Sequence, residues 1–423
     1  MAQTLSNFDA VLKEFYEGAV RETVNNQVQM FRVLDESDRE WAGRHVRFPL
    51  HTQRNSGVGA RGESGTLPTA GNQAYSEVRI SATYQYGRVQ FTGQVIAAGK
   101  NAFVGAAQAE MQGLVDDLTV DLGRQTWGVG DGRIAQVGAD GASASAISLF
   151  NRFQKPGQPG GRYLTAGQSI DLGTVASPTA QASSQAVVSV ALSSNPATTV
   201  DTLTISDSTV TVSQSDTFVF NRGAGGSGVE MMGIQGLIDV FTESNIWGSN
   251  AFAGTTIQNV NRQTVAAWNA TILGNSQTER IIDGNLMQVA FDKIHTDTGK
   301  EADMIMGHHE VVRAFLDSVS GDRRYVTNGP APKFDGGHSG LSYNGVAIER
   351  DRLAPFNSLL IFNKMALKMY TLLDLEWADD DGSILSRVSN QDSYEAYMRC
   401  YKNIGLDANP KLAVMIRDIK TDL

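Results

Sequence analysis

Arg44-His45-Val46-Arg47-Phe48-Pro49-Leu50 opens the stretch whose reading decides the fold. The segment alternates apolar and polar residues, runs into a glycine-rich centre over 55–71, and is followed from Tyr75 to Val95 by a second alternating run. In that run Val78, Ile80, Ala82, Tyr84 and Tyr86 fall on one face, and Glu77, Arg79, Ser81, Thr83 and Gln85 on the other. This is the period a β-strand imposes, because successive side chains point to opposite faces. Two such runs around a loose tip predict a long hairpin over 44–98. A lone hairpin is marginally stable in water and exposes unpaired edges, so it is expected to rest on a second copy of the same chain. Its charges point the same way: Arg44, Arg47, Arg54, Arg61, Arg79 and Arg88 stand against Glu63 and Glu77 alone. Arginine presents a planar fork of donors suited to carboxylates across an interface. Arg44, Arg47, Arg54, Arg61, Glu63, Arg79 and Arg88 are therefore the expected inter-subunit residues.

Working outward, 423 residues exceed one ordinary core and predict two or three structural units. Charged residues make up 19% of the chain, below the roughly 25% of ordinary soluble domains, which fits a surface largely hidden in contacts. A net charge of -10 argues against general nucleic-acid or membrane binding, so no membrane partner is expected and any contact with nucleic acid has to be local and weak. The single cysteine, Cys400, excludes an internal disulfide framework and a thiolate metal set. Nothing at the start reads as a signal peptide, and no run of apolar residues is long enough to span a membrane.

Ahead of the hairpin, 1–43 reads as an arm, with Leu5, Phe8, Val11, Leu12, Phe15 and Tyr16 at helical spacing. Behind it, Phe103, Ala107, Met111, Leu114, Leu118 and Leu122 form one stripe of a helix over 101–127, about 40 Å long at 1.5 Å per residue. The next section, 156–222, is rich in Ser, Thr, Ala and Val, and holds no Lys or Arg between Tyr163 and Asn221. Alternation at 186–192, 202–205, 209–212 and 217–220 reads as an inserted β unit. Gly223 to Gly228 reads as a hinge. Helices over 278–295 and 308–319, a buried strand at 304–306, strands at 346–348, 359–362 and 367–372, and a late strand pair over 394–404 and 411–419 complete an α+β chain.

Candidate chemistry is sparse. Gly57-Val58-Gly59-Ala60-Arg61-Gly62 matches a dinucleotide-binding pattern in letters, but no apolar strand precedes it and no helix follows to hold a pyrophosphate. His308-His309-Glu310 lacks the i, i+4 spacing of a helical zinc motif and reads as a helix start. Asp379-Asp380-Asp381-Gly382 reads as a solvated loop. No nucleophile sits in a recognisable elbow, so no catalytic, cofactor or metal residue is assigned and no enzyme is expected.

The order of elements resembles the major capsid proteins of tailed bacteriophages with the Hong Kong 97-like fold. Locally, Phe48-Pro49-Leu50-His51-Thr52-Gln53-Arg54-Asn55, Gly57 to Glu63, Leu67-Pro68 and Trp127-Gly128-Val129-Gly130-Asp131-Gly132 resemble the loop and the post-helix turn of one phage capsid subgroup. The resemblance implies an N-terminal arm (1–43), an extended-loop hairpin (44–98), a spine helix with peripheral domain (99–155), an inserted β unit (156–222), a peripheral return (223–274), an axial domain (275–390) and C-terminal strands returning to the periphery (391–423). It further implies a homo-oligomer of pentamers and hexamers forming an icosahedral shell around double-stranded DNA, which it touches by weak, non-specific contact. Assembly is in the host cytoplasm, with a portal, a separate scaffolding protein and a cement protein as partners. Some such proteins cross-link through a lysine on the loop. This chain has none between Lys13 and Lys100, so the shell is expected to hold without covalent bonds. The competing readings are a phage or surface fibre forming extended oligomers, and a nucleotide-using enzyme built on Gly57 to Gly62.

Overall fold

The computed structural model describes residues 28–94, 100–155, 157–193, 200–207, 209–226, 228–240, 255–320, 341–379 and 384–421, and of 100–109, 144 and 320 the backbone only. The predicted arm helix around Leu5 to Tyr16 and most of the acidic run at 379–382 lie outside the described residues.

The hairpin pairs His45–Gln53 with Ala74–Ser81, in register from His45 opposite Ser81 to His51 opposite Tyr75. Its second arm is shorter than the alternation predicts. Ala82 N makes the hairpin's last cross-strand bond, donating to Arg44 O at 3.1 Å, and a separate strand, Thr83–Thr92, begins after it. Val78, Ile80 and Ala82 are buried, but so are Thr83 and Gln85, while Tyr84 and Tyr86 are exposed. The alternation slips by one residue at Ala82, and a one-residue slip sends every later side chain to the opposite face. The strand Thr83–Thr92 then pairs along its whole length with Ser393–Leu406 of the same chain, whose other edge pairs with Leu367–Trp377 and Ser386–Arg387. Only the part before Ala82 stands away as a hairpin.

The spine helix, Lys100–Thr126, crosses the inner face of this sheet. Met111, Val115, Leu118 and Leu122 are buried against it. Leu114 approaches the strand at Gly87, where an added Cβ would lie 3.3 Å from the leucine, so the missing side chain lets helix and strand close. Val46, Phe48, Val78 and Ile80 from the hairpin base join the same core. Segment 35–37 covers part of the sheet's outer edge, with Ser37 N donating to Met369 O and Met369 N to Asp35 O.

The axial sheet runs in the order Thr271–Leu273, Ala413–Ile416, Leu359–Phe362, Met304–Gly307, Val346–Arg350 and Ser342–Tyr343. The helices Gly284–Thr298 and His309–Ser320 pack on one face, over Leu359, Ile361, Val414 and Ile416. Leu360, Phe362, Ala413 and Met415 face the main core on the other. This corrects the late strand pair: the segment after Pro410 leaves the peripheral sheet and enters the centre of the axial one. Ala413–Ile416 is apolar at every position, which needs two buried faces, and the half-exposed peripheral sheet offers one. The helix predicted from 278 starts at Gly284, because the Asp283 side chain accepts from Leu286 N and caps it there, leaving Ile281 63% exposed ahead of it.

The inserted unit is a closed barrel. Arg133–Gln136, Phe218–Asn221, Ser169–Gly173, Ala182–Ala191, Asp201–Ile205 and Ala146–Leu149 follow one another in one sheet. Its ends join where Gly138 N donates to Ser148 O at 2.7 Å and Phe150 N to Gln136 O at 3.0 Å. Closure removes edge strands from a unit with little charge to protect them. Ile134, Ile147, Leu149, Ile170, Leu172, Leu203 and Val219 fill the interior as a core of its own. The unit therefore begins at Arg133, earlier than 156, since the first and last strands of the closed sheet come from before that point.

Two chain crossings join barrel and body. Gly226 N donates to Asp131 O and Gly228 N to Gly130 O, zipping the outgoing and returning strands together. Gly130 and Gly132 have φ of 78° and 81°, and a Cβ at Gly132 would lie 2.3 Å from Ala224 O. At the foot of this neck the buried Arg124 guanidinium pairs with Glu230 and, at 2.8 Å, with Asp121. Burial pushes the Glu230 carboxyl up to about 7 against the pull of Arg124, with Asp121 and Asp131 adding to the rise. Between the ordinary value of 4.5 and about 7 the folded chain keeps a proton that the unfolded chain releases, so this group's stabilisation is full below 4.5 and is lost as pH rises through 7. Urea midpoints measured across that window are expected to fall more steeply with pH for the parent than for Glu230→Gln; parallel curves would refute the assignment.

Candidate functional site

The hairpin tip, 54–73, is exposed apart from partial cover at Gly57, Pro68 and Gly71. It is held by its own bonds: Asn55 Oδ1 accepts from Gly57 N, and Arg61 donates from Nε to Thr66 O and from Nη1 to Ala60 O, each at 2.9 Å for the arginine. A Cβ at Gly71 would lie 2.4 Å from Ser56 Oγ, so glycine is needed where the two sides of the tip meet. Gly57 to Gly62 lie in this exposed loop with no helix after them, and they offer no phosphate cradle.

The arginines expected at an interface divide into two groups. Arg47 and Arg79 reach Glu77 at 3.4 and 3.6 Å, within the hairpin itself. Arg44 Nε donates to His45 Nε2 at 3.2 Å. Arg88 is not on the hairpin: it sits on the strand Thr83–Thr92 and pairs with Glu395 of the neighbouring strand. Arg54, Arg61 and Glu63, at the tip, have no ion-pair partner among the described residues. The tip also presents Val58 and Leu67, 81% and 83% exposed. Neither is among the expected inter-subunit residues, although two large apolar side chains in a glycine-rich loop are a signal the sequence carries.

The hairpin base is fixed by a small turn from the other side. Thr256–Ile257 pairs with Val260–Asn261 around Gln258 and Asn259, both at positive φ. Arg79 N donates to Gln258 O at 2.9 Å, and Asn259 Nδ2 donates to Glu77 O at 3.3 Å. The hairpin is thus buried and hydrogen-bonded at its base and uncovered at its tip.

His308, His309 and Glu310 come together, with ligand atoms within 4.8 Å of one another. Glu310 is taken by Arg152. Burial pushes His308 down to about 3, with His309, Arg162, Arg152 and Arg313 adding to the effect. Surrounding guanidinium groups make the cluster unfavourable for a cation.

No protein-family model matches the chain, and no curated protein matches its sequence. Solved structures do. The capsid asymmetric unit of Cyanophage A-1(L) is similar over 93% of each chain, at 11% identity and a TM-score of 0.56. The capsid of the native GTA particle matches over 93% of this chain and 91% of its own, at 7% identity and a TM-score of 0.45. Mycobacterium phage Ogopogo matches over 93% and 92%, at 11% identity and a TM-score of 0.43. The chain thus shares its fold over 93% of its length with the Cyanophage A-1(L) capsid subunit, and it carries the Hong Kong 97-like capsid fold.

Proposed function

We propose that the chain is a phage major capsid protein whose copies assemble into pentamers and hexamers of an icosahedral shell around double-stranded DNA. The observation that carries this reading is the hairpin: its base is locked into the core, while Val58, Leu67, Arg54 and Arg61 at its tip are exposed. Burying the two apolar side chains against a second copy would contribute about 2–4 kcal/mol per contact, and symmetry repeats that contact around each ring. The hairpin has no lysine, so the clasp is non-covalent. The role is structural rather than enzymatic. A portal, a separate scaffolding protein and a cement protein are the proposed partners, and the host cytoplasm the place of assembly. The capsid fold over the whole chain supports this reading over a fibre.

Negative-stain microscopy of the expressed protein, alone and with a phage scaffolding protein, is expected to reveal rings and closed shells. Protein that stays monomeric under both conditions, or grows only into extended filaments, would overturn the proposal.

A further inference from the structure

Around Phe356, where the barrel's connecting loop meets the axial domain, the chain gathers cations from three distant stretches. The Arg152 and Arg162 guanidinium carbons lie 5.1 and 5.0 Å from the Phe356 ring centre. His308 packs edge-on against the same ring at 4.6 Å, and His309 lies 3.9 Å from His308. Arg162 donates to the carbonyl of Arg352, and Arg313 Nη2 donates to Thr421 O at 3.3 Å. Arg313, Arg350 and Arg352 are exposed. Arg152 has Glu310. Arg162, Arg313, Arg350 and Arg352 have no carboxylate partner among the described residues. The field is felt at His309, which is held below its ordinary value by burial and by Arg162, Arg313, Arg152 and Arg350.

We infer that this arginine patch contacts the phosphodiester backbone of the enclosed DNA, so that the face around Phe356 is the inner face of the shell. The inference rests on the capsid reading for its ligand. On a chain of net charge -10, Arg162, Arg313, Arg350 and Arg352 without carboxylate partners among the described residues give this region a local positive charge, as Arg54 and Arg61 do at the hairpin tip. Arg162 lines a small cleft with Phe356, while Arg313, Arg350 and Arg352 lie exposed beyond it, a spread that suits successive phosphates better than one small anion. No large apolar side chain in 150–163, 308–315 or 350–356 is exposed among the described residues, so the patch lacks the apolar centre of a protein interface. The stacking on Phe356 holds the Arg162 guanidinium in place without neutralising it.

The test is binding of a short labelled duplex to the purified chain by fluorescence anisotropy, across a salt titration. Arg162→Gln with Arg313→Gln is expected to weaken binding about tenfold at moderate salt and to reduce the salt slope by about two. Lys293→Gln with Arg387→Gln removes the same charge from exposed sites elsewhere and is expected to leave both unchanged. Equal loss in the two variants would mean that affinity follows net charge alone and would overturn the inference. So would unchanged binding by the first variant, or absence of binding by the parent. If the first variant binds DNA like the parent but no longer assembles, the patch is a subunit contact instead. Shell formation by the parent is scored separately by microscopy, so failure of the capsid reading is distinguishable from failure of the patch.

Discussion

Arg54→Glu combined with Arg61→Glu is expected to abolish shell formation while leaving the subunit folded. Both side chains lie on the exposed tip, where Arg61 makes only solvent-accessible bonds to Thr66 O and Ala60 O. Surface changes of this kind alter stability by about 0.5 kcal/mol or less. The effect on association is larger, because a carboxylate facing the acidic partner that an arginine was meant to meet turns attraction into repulsion, at a cost of several kcal/mol. The same defect recurs at every hairpin in a ring, so a modest loss per contact removes the closed particle. The check is paired: thermal unfolding of the subunit, and microscopy of the assembly reaction. Normal shells from the double variant would remove the docking role of the tip.

The second large effect is expected at the neck. At pH 8, above the value of about 7 at which Glu230 gives up its proton, Arg124→Leu should destabilise the fold by about 3–5 kcal/mol, because it leaves a buried carboxylate without its cation. Glu230 is 4% exposed at the side chain and Asp121 30%, so solvent cannot replace the guanidinium at Glu230. Adding Glu230→Leu to Arg124→Leu is expected to recover most of the loss, since the uncompensated charge then disappears. Denaturant unfolding of the two single variants and the double variant closes the cycle. Additive losses would mean that Arg124 and Glu230 act independently, against the geometry.

The legible parts of the fold were those in which local pattern and tertiary role agree. The spine helix was predicted from 101 to 127 and spans Lys100–Thr126, because one apolar stripe both forms the helix and buries it. The strands of the inserted unit fall within a few residues of the alternation at 186–192, 202–205, 209–212 and 217–220. The hairpin alternation was equally clear, yet it ran through Ala82 as though one strand continued. The slip there is set by two different partners, His45–Gln53 on one side and Ser393–Leu406 on the other, and strand partners far apart in sequence leave no local mark.

The candidate site divides in the same way. The tip arginines and the missing lysines could be read directly. That Arg47 and Arg79 serve Glu77 inside the hairpin, and that Arg88 belongs to a different sheet, could not. The arginine patch at Phe356 was invisible, because its members are scattered from Arg152 to Arg352 and no spacing rule connects them.

By itself, then, the sequence determined the α+β class, the free glycine-rich tip with its arginines, the spine helix and the absence of a lysine for cross-linking. These follow from residue type and short-range period, which act within a few positions of each residue. Only the tertiary structure decided that the barrel closes on strands from before 156, that Ala413–Ile416 crosses into the axial sheet, and that the hairpin ends at Ala82. Each of these turns on which distant strand offers a matching edge and a second buried face, and that choice is made by the whole chain as it packs.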